Sequence, residues 1–278
     1  MSPHILPRSR DLPGTRSNQL VGAGHTLAID ADDHVVRYTP TRPDYWSGNL
    51  LVLDRAPCSP DDAPDHARAQ LAGWLARADA TPELALTAKL TLAWETLDPR
   101  PLPEEWFPHG SSYTVDTVLR LARAPAPAPP PPGLVFRPAL RDSDWSAIAQ
   151  LVVEDWPDAR GYDDFVRWVY TELRVSFARS RSTWWTAWQG SLLVGSLGLF
   201  EAPELRRFQE LQTRASHRRR GVASTLIRLA LSADERPERA RETYIVATAG
   251  DAPERLYRSL GFEPCSWIHT VRARRPPC

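Results

Sequence analysis

The sequence predicts a mixed α/β fold (an α+β mixed sheet) laid out in two halves. Over residues 134–273, strand-length apolar runs alternate with amphipathic helical stretches in the order β-α-α-β-β-β-α-β-α-β. The first 123 residues repeat a thinner version of the latter part of that order. Between the halves, residues 124–133 read Ala-Pro-Ala-Pro-Ala-Pro-Pro-Pro-Pro-Gly, which favours polyproline II and excludes both helix and central strand. A chain of 278 residues suits two small domains at roughly 100–200 residues each. The expected division is 1–123 as a degenerate or accessory α/β domain, 124–133 as a proline-rich linker, and 134–278 as the catalytic domain.

In the first half, 49–54 is a predicted strand, and 63–77 a helix with Ala67, Leu71, Trp74 and Leu75 on one stripe. A strand follows at 89–95, a short turn or helix at 103–107, and an alternating strand at 113–122. In the second half, 134–137 is a strand, and Asp142 or Ser143 caps a helix through Ile148, Leu151 and Val152. Residues 162–173 form a helix with Phe165, Trp168, Val169 and Leu173 on one face. Residues 183–188 and 192–200 make a hairpin about Gln189-Gly190, and 207–214 is the next strand. A helix over 221–231 turns Val222, Leu226, Leu229 and Ala230 inward. Strand 243–248, helix 253–260 and strand 262–272 complete the order.

Composition narrows the function. Lys+Arg and Asp+Glu are both 34, so no net charge draws the chain to nucleic acid or an acidic membrane. No run of about 18 apolar residues predicts a membrane span, and the opening Met-Ser-Pro-His has no apolar signal-peptide core. Cys58, Cys265 and Cys278 are odd in number and far apart, which suits neither a disulfide framework nor a metal site. A cytoplasmic protein without metal is expected.

The chemistry concentrates in Leu211-Gln-Thr-Arg-Ala-Ser-His-Arg-Arg-Arg-Gly-Val-Ala-Ser-Thr-Leu-Ile, where a strand gives way to a short loop and Gly221 opens a helix. Helix N-terminal amides beside arginines form an anion site, and the expected ligand is a pyrophosphate. Arg218-Arg219-Arg220-Gly221-Val222-Ala223 fits Gln/Arg-x-x-Gly-x-Gly/Ala, and Glu254-Arg-Leu-Tyr257-Arg-Ser-Leu-Gly261-Phe262 follows downstream. With these two blocks, residues 134–273 resemble the GCN5-related N-acetyltransferase (GNAT) superfamily.

The resemblance implies the GNAT acyl-CoA N-acyltransferase fold, in tandem with a degenerate first copy. It implies acetyl-CoA as co-substrate, its pyrophosphate bound by amides of Arg218, Arg219, Arg220, Gly221, Val222 and Ala223, with Ser224 adding a hydroxyl. Leu211, Gln212 and Thr213 would end a strand splayed from its neighbour and pair with the pantetheine arm. Tyr257 would protonate the leaving thiolate; as an alternative it is a core aromatic. The acceptor would be an amine on a small molecule or peptide, and the chain a monomer or homodimer.

Three positions depart from the family pattern. The strand glutamate that serves many members as base has no counterpart by alternation: Arg207 and Gln209 face the acceptor, and Glu210 faces away unless a bulge intervenes. Glu201 and Glu204 are the remaining candidates. Gly250 and Ala215 replace an Asn and a Pro common in the family. In the first half, the loop between strand 49–54 and helix 63–77 lacks the glycine step and carries Asp61 and Asp62, which would repel a pyrophosphate. Trp184 and Trp188 share a strand face, either as core or as an aromatic acceptor wall, and Asp155, Trp156 and Asp158 stand where an amine could be held. An acyl-CoA-binding module without turnover is the alternative to an acetyltransferase.

Overall fold

The structure, a computed structural model, describes residues 7–155, 161–233 and 241–275. Its helices are α1 (Pro13–Gly22), α2 (Pro64–Asp79), α3 (Asp142–Glu154), α4 (Tyr162–Ala178), α5 (Val222–Ser232) and α6 (Ala252–Ser259). Its strands are β1 (Leu27–Asp30), β2 (His34–Tyr38), β3 (Leu50–Leu53), β4 (Lys89–Thr96), β5 (Ser112–Leu121), β6 (Val135–Pro138), β7 (Thr183–Gln189), β8 (Leu192–Glu201), β9 (Leu205–Thr213), β10 (Glu242–Thr248) and β11 (Phe262–Arg274). They form two compact units: Met1–Leu119 with Val246–Glu254 and Pro264–Cys278, and Arg120–Ile245 with Arg255–Glu263.

In the first unit the strand order is β1-β2-β3-β4-β11-β5. β3 lies parallel to β4, so α2 crosses over between them, and its buried stripe is Ala67, Leu71, Leu75 and Ala78. Trp74, expected on that stripe, sits at its margin with Arg77 stacked 5.0 Å over its ring. The last strand of the chain belongs here: β11 pairs antiparallel with β4 from Trp267↔Thr96 to Arg274↔Lys89. α1, β1 and β2 had no counterpart in the sequence reading. The buried positions of α1 are Gly14, Thr15, Ser17 and Gly22, so it carries no apolar period to detect. Gly14 is small by necessity, because a Cβ there would lie 2.6 Å from Val118 and 2.8 Å from Ile268.

The segment leading into α1, with its first turn, closes the ends of β3 and β4. Ser9 donates its amide to the Asp54 carbonyl (2.7 Å), and its hydroxyl accepts from the Glu95 amide (2.7 Å). The Glu95 carboxylate in turn receives the Gly14 and Thr15 amides at 2.9 and 2.6 Å. A cavity of about 530 Å³ beside it is lined by Asp54, Glu95 and Asp98. Each of these acids is already engaged, Asp54 by Arg10 at 2.5 Å and Asp98 by Arg100 at 2.7 Å.

In the second unit the order is β10-β9-β8-β7-β6, antiparallel from β6 to β9, with β9 parallel to β10 around the α5 crossover. Gly195 lets α5 rest on β8, since a Cβ there would lie 2.7 Å from Val222. Gly198 likewise admits Trp184, whose ring would be 2.7 Å from a Cβ. Trp184 is therefore core, packed against Trp145, Tyr170 and Phe177. Trp188 is partly exposed, with Arg137 5.0 Å over its ring.

Several expectations are corrected here. The N-cap position of α3 is Arg141, and Asp144 in the first turn closes the helix start by accepting the Leu140 and Arg141 amides (both 3.0 Å) and the Arg137 guanidinium, so Asp142 and Ser143 do not cap. Arg137 holds the Asp144 carboxyl well below its usual range. The inner stripe of α4 is Val166, Tyr170, Leu173 and Phe177, leaving Phe165 and Trp168 half-exposed. In α5, Thr225 and Ile227 are buried and Leu229 is half-exposed.

One buried pair in the first unit predicts acid sensitivity. His269 stacks on Trp94 (5.3 Å), and its Nδ1 lies 2.6 Å from the Tyr113 hydroxyl, which also accepts the Leu102 amide. Burial lowers the His269 pKa from 6.5 to about 4, with Asp98 opposing. The unfolded chain therefore binds the proton more readily than the folded one. The associated stability, on the order of 3 kcal/mol, is full above pH 6.5 and is lost as pH falls toward 4. Urea unfolding at stepped pH should show this slope, and His269→Asn should flatten it; a slope equal in both proteins removes His269 as its source.

Candidate active site

The site grows from β9. Its first four residues are buried and its last five half-exposed. Pairing with β10 runs over Leu205–Arg207 against Glu242–Tyr244, and among the described residues the ladder goes no further. Toward β8 the register shifts: Ser196 faces Gln212 and Gly198 faces Gln209, so β9 carries one extra residue. Glu210 takes up that extra step with φ of 54°, left-handed backbone that costs a non-glycine residue about 1–2 kcal/mol. Leu211, Gln212 and Thr213 follow along the half-exposed edge.

The bulge reverses the parity of Glu210 and joins it to the residues expected to face the acceptor. Arg207 donates to the Gln209 side-chain oxygen (3.1 Å), and the Gln209 amide donates to Glu210 Oε1 (3.0 Å). Burial raises the Glu210 pKa, against hydrogen bonds from Gln209 and Gln212 and the charge of Arg207. Burial also raises the pKa values of Tyr162, Tyr170 and Tyr257, that of Tyr257 to about 12, and the Glu210 charge adds to each. Three tyrosines and one carboxylate thus share an electrostatic environment at the point where β9 leaves its neighbour. The hydroxyls of Tyr170 and Thr213 are buried there with no hydrogen-bond partner among the described residues. Such orphaned buried groups are candidate ligand contacts. Tyr257 is only 5% exposed and its ring lies 6.4 Å from Phe262, so it also packs as a core aromatic.

The loop beyond β9 separates its cations by task. Arg214 pairs with Glu154, and its Nε donates to the Leu193 carbonyl (2.9 Å). Arg218 holds both oxygens of Asp155 (3.0 and 3.1 Å) and the Thr213 carbonyl (3.1 Å), while its own amide donates to Ala215. Arg218 is thus a brace, where a pyrophosphate contact was expected, and Asp155 is engaged, where an acceptor amine was expected. Trp156 and Asp158 lie outside the described residues. His217 is buried between the Gln189 and Ser216 side chains (both 2.9 Å), fixing the loop on the β7–β8 turn.

Arg219, Arg220 and Gly221 remain exposed. Arg219 (φ 63°) and Gly221 (φ 80°) are left-handed, alternation that turns successive amides to one side. The first intrahelical bond of α5 is Thr225 to Gly221, which leaves the Val222, Ala223 and Ser224 amides without an intrahelical acceptor. The Ser224 hydroxyl donates to the Gly221 carbonyl (3.0 Å). Of the alternative bases, Glu201 is paired with Arg241 (2.7 Å) and Glu204 is exposed. No group of three or more metal-ligating side chains occurs among the described residues. Sequence reasoning set Glu210 on the far face unless a bulge intervened and could not locate that bulge, because nothing in Gln-Glu-Leu-Gln marks one and the left-handed residue is not glycine.

Residues 180–264 match the family described as acetyltransferase (GNAT) domain. The fold is that of GNAT proteins. A tandem GNAT protein from the clavulanic acid biosynthesis pathway is similar at 14% identity and a TM-score of 0.58, over 99% of this chain and 91% of that one. A GCN5-related N-acetyltransferase from Kribbella flavida is similar at 16% identity and 0.55, over 96% of both chains. A functionally unknown conserved protein from Staphylococcus epidermidis ATCC 12228 is similar at 12% identity and 0.60, over 91% of this chain and 95% of that one. No curated protein matches the chain.

Gly221 provides a direct check on the loop. A side chain there meets left-handed backbone and Pro131, 3.4 Å from a Cβ. Gly221→Ala should cost about 1 kcal/mol by melting. If the loop binds acetyl-CoA, as proposed below, ligand at one hundred times Kd should stabilise the chain by about 2.7 kcal/mol, and Gly221→Glu should abolish that shift; an equal shift in Gly221→Glu would remove the loop as the binding site.

Proposed function

We propose that the second unit transfers an acetyl group from acetyl-CoA to an amine by direct attack, and that the first unit is a degenerate copy without coenzyme. The GNAT family match and fold support acyl transfer. The observation that carries the finer reading is the left-handed step in β9, which brings Glu210 into one electrostatic environment with Tyr257.

The Val222, Ala223 and Ser224 amides at the start of α5 and the exposed Arg219 and Arg220 cations suit a pyrophosphate, and the half-exposed edge Leu211–Gln212–Thr213 suits the amide groups of a pantetheine arm. These residues fix the thioester against β9. Glu210, whose raised pKa fits a general base, takes the proton released as the amine nitrogen bonds to the acyl carbon. When the carbon–sulfur bond breaks, the electron pair leaves on sulfur, and Tyr257 supplies the proton that makes it a thiol. Solvent then returns a proton to Tyr257, and Glu210 releases its own. A phenol held near 12 stays protonated at neutral pH and is available to donate. The products are an acetamide and free CoA.

Binding without turnover drew its support from the absence of a strand glutamate, and Glu210 removes that support. In the first unit, Ser9 bridges the ends of β3 and β4 where the second unit leaves β9 open. This favours a coenzyme site in the second unit alone. The small-molecule or peptide amine, a cytoplasmic setting and a monomer or homodimer remain part of this reading.

Free-CoA release across an amine panel tests it. Glu210→Gln should lower kcat by about 10²–10⁴-fold and remove the acid limb of its pH profile. Tyr257→Phe should lower kcat while leaving Kd for acetyl-CoA nearly unchanged. Rates within about twofold of wild type would return both residues to the core.

A further inference from the structure

The proline tract is laid along the coenzyme loop. It is pinned first at the α6–β11 turn, where the Ala122 and Arg123 amides both donate to the Gly261 carbonyl (3.0 and 3.2 Å). Gly261 is left-handed (φ 89°), and a Cβ there would lie 2.1 Å from the Arg123 carbonyl oxygen, so only glycine admits this approach. The second pin is on α5, where Arg228 Nε donates to the Ala126 carbonyl (3.0 Å). Further along, Pro131 lies beside Gly221, its ring 3.4 Å from where a Cβ of residue 221 would stand. From Ala126 to Pro131 an extended tract covers about 15 Å. From Arg228 back to Gly221, α5 covers about 10 Å. The tract therefore runs antiparallel to α5 and ends at its N-terminus. The two glycines it touches are those of the two motif blocks.

We infer that residues 124–132 are a positioning element of the acyl-CoA site, holding the left-handed start of α5 so that the amides of residues 219–224 are aligned before the coenzyme arrives. This rests on the acyl-CoA reading above. The physical case is one of stiffness. The loop is exposed and contains two left-handed residues, Arg219 and Gly221, so without lateral support it would populate other conformations. Proline fixes φ and has little conformational entropy left to lose, so a tract rich in it supports the loop at small entropic cost. With only three alanine amides among its nine residues, it also offers few donors to compete for the pyrophosphate. An apparent dissociation constant scales inversely with the fraction of molecules already in the binding geometry. If support raises that fraction from about one in ten to nearly all, the tract contributes about tenfold in affinity. It touches no reacting atom, so it should leave the acyl-transfer step alone.

The test uses the full chain with Pro129, Pro130, Pro131 and Pro132 replaced by a Gly-Ser sequence of equal length. Kd for acetyl-CoA is measured by calorimetry, with ligand-free melting and amide exchange over 218–224 in parallel. The expected result is a Kd raised about tenfold and faster loop exchange, at a temperature where both proteins are fully folded. A purely structural tract would lower the melting temperature without moving Kd at that temperature, and a Kd within twofold of wild type overturns the proposal. Should the four-residue variant not fold, Pro131→Ala is measured with the same readings. A wild-type chain that fails to bind acetyl-CoA refutes the site itself, whereas wild-type binding with an unaffected variant refutes the tract alone.

Discussion

The site depends on one residue of β9 adopting a conformation its side chain disfavours. Had Glu210 continued the extended strand, Gln209 and Glu210 would point to opposite faces, and the strand would keep the parity that excludes a carboxylate from the acceptor side. The extra residue shifts the register against β8 between Gly198 and Ser196. It also sets Glu210 at the end of a hydrogen-bonded series that starts at the buried Arg207. The backbone cost, about 1–2 kcal/mol, is small beside the stability of a domain and is concentrated where a raised carboxyl pKa is useful.

The two units treat the same topological feature in opposite ways. Each has an antiparallel strand pair followed by a parallel partner reached through a helix: β2, β3, α2 and β4 in one, β8, β9, α5 and β10 in the other. In the first, the Glu95 carboxylate is bound by the α1 N-terminal amides and Ser9 bridges Asp54 and Glu95, so the polar groups at that strand end are satisfied internally. In the second, Thr213 and Tyr170 keep buried hydroxyls without hydrogen-bond partners among the described residues. A folded chain tolerates such groups poorly unless a ligand or water completes them. At these corresponding strand ends, the first unit closes its polar groups on one another and the second does not.

Legibility followed the source of each signal. The second-half strands and the α2 stripe were readable because their apolar periods are strong, and Gly221 and Gly261 were readable because left-handed turns select glycine. α1 was hidden because its buried face is made of Gly, Thr and Ser. The face of α4 was misjudged because aromatic residues at 165 and 168 outweigh Val166 and Tyr170 by composition, though not by burial. The β4–β11 pairing has no local sequence signature at all, since it joins residues far apart in the chain. Glu210 was hidden for a similar reason: a bulge is a relation between two strands, and β8 supplies half of it.

The arginines around α5 show why a motif alone does not say which cations are open to a ligand. Arg214 and Arg218 sit within the same loop as Arg219 and Arg220, yet their guanidinium groups are committed to Glu154, Asp155 and backbone carbonyls. Those bonds tie the loop to the end of α3 and keep Thr213 oriented. A pyrophosphate needs amides already converging as well as positive charge, because each amide left to reorganise lowers affinity. Bracing cations and exposed cations therefore have separate tasks. The braces hold the alternating backbone at Arg219 and Gly221, and the exposed pair supplies the charge that such a backbone can present.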